Sequence, residues 1–295
     1  MESILIAGGS GFIGAKLKSH LKNKGHKVTI LTRSPKNKED VFWNPKLKKI
    51  DTKSISKTTI LINLCGENIA KKRWTNKRKK ELMSSRINTS VFLFSIADSL
   101  PDLKHFIGAS GINCYGNSNS EIYHSEKDML GNNFISNLVK KWEESHLLFE
   151  QKCKTTILRF PIVLEKNEGA LKKMEGLFSI GFGSVLGSGS QIMNWISIDD
   201  LLRLFDHLII KRIEGIYNIS ANNTSNYDFS HALANALKRK IILPKTPKIV
   251  IRIIFGEMSD ILINGNYVSS KKILNTGFIY EKTDINTTLK KLYQD

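Results

Sequence analysis

Tyr123 and Lys127 stand four residues apart in EIYHSEKD, residues 121–128. On a helix, that spacing puts both side chains on one face. The ammonium lowers the phenol's pKa, and the pair can then deliver and relay a proton. Two further hydroxyls, Ser110 and Tyr115, lie just upstream in GASGINCYG (108–116). A third group is built for binding. Gly8, Gly11 and Gly14 form G-x-x-G-x-x-G, with Ser10, Phe12 and Ile13 between them, directly after the apolar run SILIA. One glycine makes a tight turn, another lets backbone approach a pyrophosphate held on helix amides, and the third lets helix pack on strand. A β run before and an amphipathic helix after give this motif the context of a dinucleotide site.

The second apolar run, KVTILT, ends in Thr32, Arg33 and Ser34. A site for NAD(H) usually carries Asp or Glu there, accepting from the ribose 2′-hydroxyl. Arg33 instead suits a 2′-phosphate through charge-assisted hydrogen bonds. The reading is NADP(H) over NAD(H), against the plainer alternative that Arg33 is one more surface cation.

These groups need a scaffold. Short β-forming runs recur at 3–7, 27–32, 59–64, 103–110 and 155–164, the last read as one strand, and again at 215–220. Between them lie helical patterns, such as Leu17 and Leu21 ahead of Gly25, a natural helix-ending residue. A second runs through 132–152, with Phe134, Leu138, Val139, Trp142 and Phe149 on one side. Strands alternating with helices make βαβ units and a parallel sheet. The pattern loosens after Leu164, through the glycine-rich 176–190, and a helix is expected from Ser225 to Lys238. The organisation is an N-terminal domain over 1–164, to which 195–220 returns, and a smaller discontinuous domain over 165–295.

The 295 residues, 41% hydrophobic, can build one large core or two modest ones. No run of about 18 apolar residues occurs, so no membrane span and no membrane partner is expected. MESILIAGGSGFIG lacks a basic leader and reads as mature structure. Cys65, Cys114 and Cys153 are an odd number of widely spaced thiols. They argue for a reducing, cytoplasmic setting and against a disulfide framework or a metal site. The net charge of +18 is spread from end to end. Its densest patch, KKRWTNKRKK (71–80), interleaves only Trp74, too little for a base-stacking platform. The charge therefore reads as solvated surface, and nucleic acid is not expected as a partner.

With these residues in hand, the chain resembles the extended short-chain dehydrogenase/reductases, the NAD-dependent epimerase/dehydratase family. It is most similar to a subgroup, the epimerase family proteins, with a short C-terminal domain of unknown function. The resemblance covers nearly the whole chain: GGSGFIG, residues 62–90, GASGINCYG, LRFPIVL, GSGSQIMNWISIDDL and residues 256–278. It implies that 71–80 begins a helix near the cofactor cleft. It implies that NLCGENI (63–69), with Leu64, Cys65, Gly66 and Glu67, lies beside the cofactor's ribose and adenine, Gly66 giving close backbone approach, and it adds Arg86 to the cofactor residues. It also implies that a strand-end serine, here Ser110, works with a Tyr-x-x-x-Lys pair on a later helix.

That later helix is 133–150, and its matching turn reads FISNL, with Phe134 in the tyrosine place and Leu138 in the lysine place. EIYHSEKD is short and polar, and Ser125 and Glu126 match a loop of the relatives. Tyr123 and Lys127 are therefore read as a loop coincidence. Ser110 and Tyr115 remain as candidate catalytic hydroxyls facing the nicotinamide, Tyr115 being either a poorly tuned acid or a packing residue of its turn. Gly187 and Gly189 suit a tight loop over a substrate. Asp199 and Asp200 read as caps of a 200–211 helix or as anchors for backbone at the domain junction. Trp195 belongs either to pocket or to core.

The expected fold is α/β: a doubly wound Rossmann domain with a smaller C-terminal α/β domain. Two functions stay open. One is an NADP(H)-dependent oxidoreductase or epimerase of an unidentified small molecule. The other is a non-catalytic NADP(H)-binding sensor or scaffold. A homodimer is carried as an open state of assembly.

Overall fold

The computed structural model describes residues 1–116 and 121–294. The apolar runs form β1 (Ser3–Ala7) and β2 (Lys27–Thr32), with α1 (Phe12–Asn23) between them. The chain adds β3 (Asp40–Asn44) and β4 (Lys49–Ile50), then β5 (Ile60–Asn63), α2 (Asn76–Ser95), β6 (His105–Gly111), α3 (Phe134–Leu147) and β7 (Lys154–Phe160). Next come β8 (Ile162–Leu164), α4 (Gly169–Ser179), β9 (Ile192–Ser197), α5 (Ile198–Lys211), β10 (Gly215–Asn218) and β11 (Asn222–Ser225). Helices α6 (Asn226–Ala236), α7 (Lys248–Phe255), α8 (Asp260–Ile263), α9 (Lys271–Leu274) and α10 (Ile285–Gln294) complete the chain.

Eight strands form one sheet in the order β10-β7-β6-β5-β1-β2-β3-β4, all neighbours parallel except β3 and β4. Strands of a sheet covered on both faces read as continuous apolar runs, which is why SILIA and TILINL are so uniformly apolar. One face is filled by Leu17 and Leu21 of α1 and by Leu201, Leu204 and Phe205 of α5. The other is filled by Phe92 and Leu93 of α2 with Trp43, Phe106 and Phe149. Each such side chain contributes roughly 1.5–3 kcal/mol by burial. This is a doubly wound Rossmann-type sheet. Strand order reverses on either side of β1, so a crevice opens outside the carboxyl ends of β1, β2 and β5.

The expected single strand over 155–164 is two. Pro161 has no N–H to continue the ladder, so β7 ends before it and β8 joins a separate sheet, β11-β9-β8. Trp195 of β9 is fully buried there with Phe229 and Leu233 of α6 and Leu289 of α10. Its indole N–H donates to Thr224 Oγ1 at 2.8 Å, which makes it core rather than pocket. The strands β3 and β4 were not foreseen, being short, with only Trp43 of their side chains buried. The basic stretch 71–80 begins as loop; the helix starts at Asn76, capped by Thr75.

Candidate functional site

The glycine turn leaves β1 at Ala7. Gly8 has φ +84°, and a Cβ there would stand 2.9 Å from the Leu64 carbonyl carbon. A Cβ at Gly14 would stand 2.4 Å from the Gly8 carbonyl oxygen, so the first turn of α1 rests on the loop backbone to backbone. Gly11 precedes α1 with no side-chain cap, and no acidic residue occupies the first turn. The helix thus presents uncapped N–H groups and an uncompensated positive end. Ser10 is exposed on the turn, while Phe12 and Ile13 pack against the core.

At the end of β2, Thr32 is buried and its hydroxyl accepts from the Ser34 N–H at 3.2 Å. Arg33 is exposed, and no carboxylate pairs with it among the described residues. Its charge reaches the Cys65 thiol, where burial pushes the pKa up to about 12 and Arg33 offsets part of the rise. The ends of β2 and β5 are therefore electrostatic neighbours.

The loop after β5 is held by Asn63, the first residue of the stretch 63–69, to whose side chain the sequence reading gave no role. Asn63 is fully buried; its amide Nδ2 donates to Ser90 Oγ at 3.0 Å and lies 3.2 Å from His146 Nε2, and its Oδ1 accepts from the Cys65 N–H at 3.1 Å. The Leu64 N–H donates to the Ala7 carbonyl at 2.9 Å, joining this loop to the glycine turn. An amide closing the apolar run ILIN was the available signal.

Gly66 lies against Arg86. A Cβ there would lie 3.0 Å from Arg86 Cζ, so the absent side chain makes room for a guanidinium. Arg86 is buried, donates to the Glu67 carbonyl at 3.0 Å and the Leu82 carbonyl at 3.2 Å, and stacks on Trp142 at 4.9 Å. Burial, with the charge of Arg78, pulls its pKa down to about 10, so it stays cationic at neutral pH. Arg86 shapes the loop from beneath. The Glu67 carboxylate faces Arg78, with both guanidinium nitrogens at 3.3 Å.

Ser110, at the end of β6, and Tyr115 share one buried network. Ser110 Oγ donates to Glu143 Oε1 at 2.7 Å. Arg159 of β7 donates Nε to Glu143 Oε1 and Nη2 to Oε2, and Nη1 to the Tyr115 hydroxyl, each at 2.8 Å. The Tyr115 hydroxyl donates onward to Asn218 Oδ1 at 2.8 Å, and the Asn218 N–H donates to Glu126 Oε1 at 2.8 Å. Burial raises the Tyr115 pKa far more than Arg159 lowers it. The phenol is thus locked as a neutral structural group. Glu143, Arg159 and Asn218 were also missed. A lone arginine inside TTILRF was the visible signal for the middle one.

Helix α3 begins at Phe134, whose ring meets Trp74 edge-on at 5.2 Å, with Lys79 Nζ over it at 5.2 Å. Leu138 is buried in the same apolar cluster as Leu82 and Val139. No phenol or ammonium stands at either place. The segment 121–130 is not helical; Tyr123 and Lys127 are exposed, and the Tyr123 ring leans on Tyr267 at 5.0 Å. Trp74 is buried, its N–H on the Ile69 carbonyl, and offers no face to a base.

The cap of α5 is Ser197, not an aspartate: its hydroxyl accepts from the Asp200 N–H at 3.1 Å. Asp200 is buried and accepts from the backbone N–H groups of Glu281 and Lys282 at 3.0 and 2.9 Å, so it anchors the C-terminal segment. Gly187 and Gly189 make a turn stitched to Thr246 and Tyr227. No cluster of His, Cys, Asp and Glu able to hold a metal occurs among the described residues.

A parallel sheet with a glycine turn at its switch point defines a dinucleotide-binding protein of the Rossmann type. More narrowly, the chain belongs to the NAD dependent epimerase/dehydratase family, whose pattern matches residues 4–160. Residues 246–292 match a domain of unknown function, DUF1731. The chain is 32% identical to the epimerase family protein MT2273 of Mycobacterium tuberculosis over 292 residues, covering 97% of this chain and 96% of that one. It is 31% identical to the mouse epimerase family protein SDR39U1, covering 97% and 98%. Among solved structures it is similar to human epimerase family protein SDR39U1 (isoform 2) with NADPH, at a TM-score of 0.89 and 28% identity, over 99% of both chains.

Proposed function

We propose that this chain binds NADP(H) and acts as an oxidoreductase or epimerase on a small molecule, with a proton path other than Tyr-x-x-x-Lys. The observation that carries the cofactor choice is Arg33, exposed at the end of β2, the strand paired with β1, and without a carboxylate partner among the described residues. The human relative crystallised with NADPH supports the same reading. The residues present fit the group. The Gly8–Gly14 contact leaves bare backbone where a pyrophosphate would lie, the uncapped end of α1 favours an anion, and Arg33 matches a 2′-phosphate. When bound, NADPH supplies a hydride from its nicotinamide ring. Asn63 fixes the Cys65 amide, and Arg86 fixes the Glu67 carbonyl, so the β5 loop is preformed. Three free thiols fit a cytoplasmic setting.

A second reading, a non-catalytic NADP(H) sensor or scaffold, has its own observation. Phe134 and Leu138 replace the proton-relay pair, and the hydroxyls of Ser110 and Tyr115 are engaged inside the protein. Calorimetric titration with NADPH and NADH tests the cofactor: equal affinities would remove the Arg33 argument. Two readouts separate the two readings. Consumption of NADPH with a panel of carbonyl compounds reports a reductase. Chromatographic detection of the epimer from sugar nucleotides in the presence of NADP+ reports a redox-neutral epimerase. A sensor binds the cofactor and gives neither.

A further inference from the structure

The C-terminal lobe carries an apolar surface that the cofactor site does not use. Helix α7 turns Ile251 into the protein, where it is buried. At 100° per residue, Ile249 and Ile253 then point away from the core, while Ile254 lies on the flank toward Ile251 and is still half exposed. Ile180 and Phe182 follow α4, and Ile242 precedes α7; these six side chains are between 54 and 80% exposed. Backbone hydrogen bonds from Thr246 to Val185 and from Gly187 to Thr246, each 2.8 Å, stitch the two segments side by side. Scattered exposed apolar residues are ordinary, whereas a cluster of large aliphatic ones is a contact surface.

The charge around it is one-sided. Residues 170–183 and 238–256 contain eight lysines and arginines and a single acidic residue, Glu175. Glu175 is buried and accepts from the Asn167 N–H and the Tyr293 hydroxyl, so it neutralises nothing at the surface. On α7, Lys248 and Arg252 flank the aliphatic stripe one turn apart. A second copy of the chain docking by this face would bring two such basic rims together, which disfavours a dimer here.

We propose that this face is a peripheral docking surface for an anionic lipid bilayer. The side chains of Ile249, Ile253 and Phe182 enter the headgroup–acyl boundary, and Lys248, Arg252 and Lys172 pair with lipid phosphates. This departs from the expectation of no membrane partner. That expectation rested on the lack of a spanning run, which does not bear on a surface-bound face; no helix among the described residues is long and apolar enough to cross a membrane.

The test is flotation of the full chain with phosphatidylcholine vesicles, with and without phosphatidylglycerol. All four tryptophans are buried, so Ile253→Trp adds a reporter on a quiet background. The expected result is binding to the anionic vesicles that exceeds neutral ones at least about tenfold, with a blue-shifted emission from the new indole. Ile249→Glu/Ile253→Glu should lower binding about tenfold or more while circular dichroism and NADPH affinity stay unchanged. Lack of flotation with anionic vesicles overturns the proposal. Full binding by the double-glutamate variant also overturns it, because adsorption would then be diffuse attraction to the +18 chain. A dimer in vesicle-free solution that the double-glutamate variant abolishes assigns the face to a second copy and overturns it as well.

Discussion

Arg159 clasps the Glu143 carboxylate with two parallel hydrogen bonds of 2.8 Å, and both side chains are all but inaccessible to water. Burial is the largest single influence and works against the guanidinium's charge, yet the hydrogen bonds to Glu143, its charge and those of Cys114 and Tyr115 together outweigh it and hold the Arg159 pKa above its ordinary value. Ser110 and Tyr115 hang from this pair, one on the carboxylate and one on the guanidinium. The two hydroxyls nearest the expected chemistry are therefore oriented by an ion pair between a helix and a strand.

Breaking that pair on one side leaves a buried cation unmatched. Glu143→Gln should cost about 3–5 kcal/mol, a fall in Tm of roughly 10 °C by calorimetry. An unchanged Tm would show that the pair contributes nothing net to stability.

Cofactor choice rests on a single cation. Arg33→Ala should weaken NADPH about ten- to a hundredfold, the worth of charged hydrogen bonds near 1.5–3 kcal/mol, and leave NADH alone. Titration of both cofactors against the variant reads this directly. A parallel loss for the two would mean that Arg33 acts through the fold.

The glycine turn makes a paired prediction. Gly14→Ala drives a methyl to 2.4 Å from the Gly8 oxygen, whereas the nearest atom to a Cβ at Gly11 is 3.4 Å away. Overpacking of this kind costs about 1–3 kcal/mol. Gly14→Ala should lower urea stability by that much and abolish cofactor binding, while Gly11→Ala should keep its urea midpoint. Equal midpoints would contradict the backbone contact.

Tyr123→Phe and Lys127→Ala should leave NADPH affinity and stability at the parent level, since both side chains sit on an exposed, non-helical segment. Tyr115→Phe removes the hydroxyl between Arg159 and Asn218 and should cost about 1–3 kcal/mol. Loss of turnover in Tyr123→Phe alone, with Tyr115→Phe active, would relocate the proton chemistry to 121–128.

Two buried histidines set an acid limit. Burial holds His146 down to about 3 and His105 down to about 4, so both are neutral in the folded protein. Their unfolded values lie near 6.5, so the unfolded chain binds more protons below that point. Their stabilisation is complete above pH 6.5 and is lost as pH falls toward 4 and then 3. Urea unfolding at stepped pH should show stability dropping by a few kcal/mol across that window. A flat profile would mean that the rings are accessible to protons in the folded state.

Much of this was legible in the residues. The limits of β1 and β2 follow from runs buried on both faces, and Arg33 could be placed because a glycine turn fixes where the next strand must end. The loop character of 121–130 was readable from its polarity and from the missing helical face. The Glu143–Arg159 pair was not, because it depends on how α3 lies across β7, and sixteen residues of spacing say nothing about that register. Arg86 came from the family resemblance, and its hydrogen bonds to the Leu82 and Glu67 carbonyls are contacts that sequence does not display. For Asp200 the choice between helix cap and backbone anchor stayed open, because only the fold brings residues 281–282 back to it.

Pro161 has a mechanical consequence. It is the sole residue between β7 and β8, so this crossing from the large sheet to the small one is a joint of fixed φ, while the other crossing in that direction, from β10 to β11, has three residues, 219–221. Arg159 sits two positions before that joint, and Trp195 pairs with Ile162 one position after it. A rotation of the small sheet therefore pulls on the guanidinium that orients Tyr115.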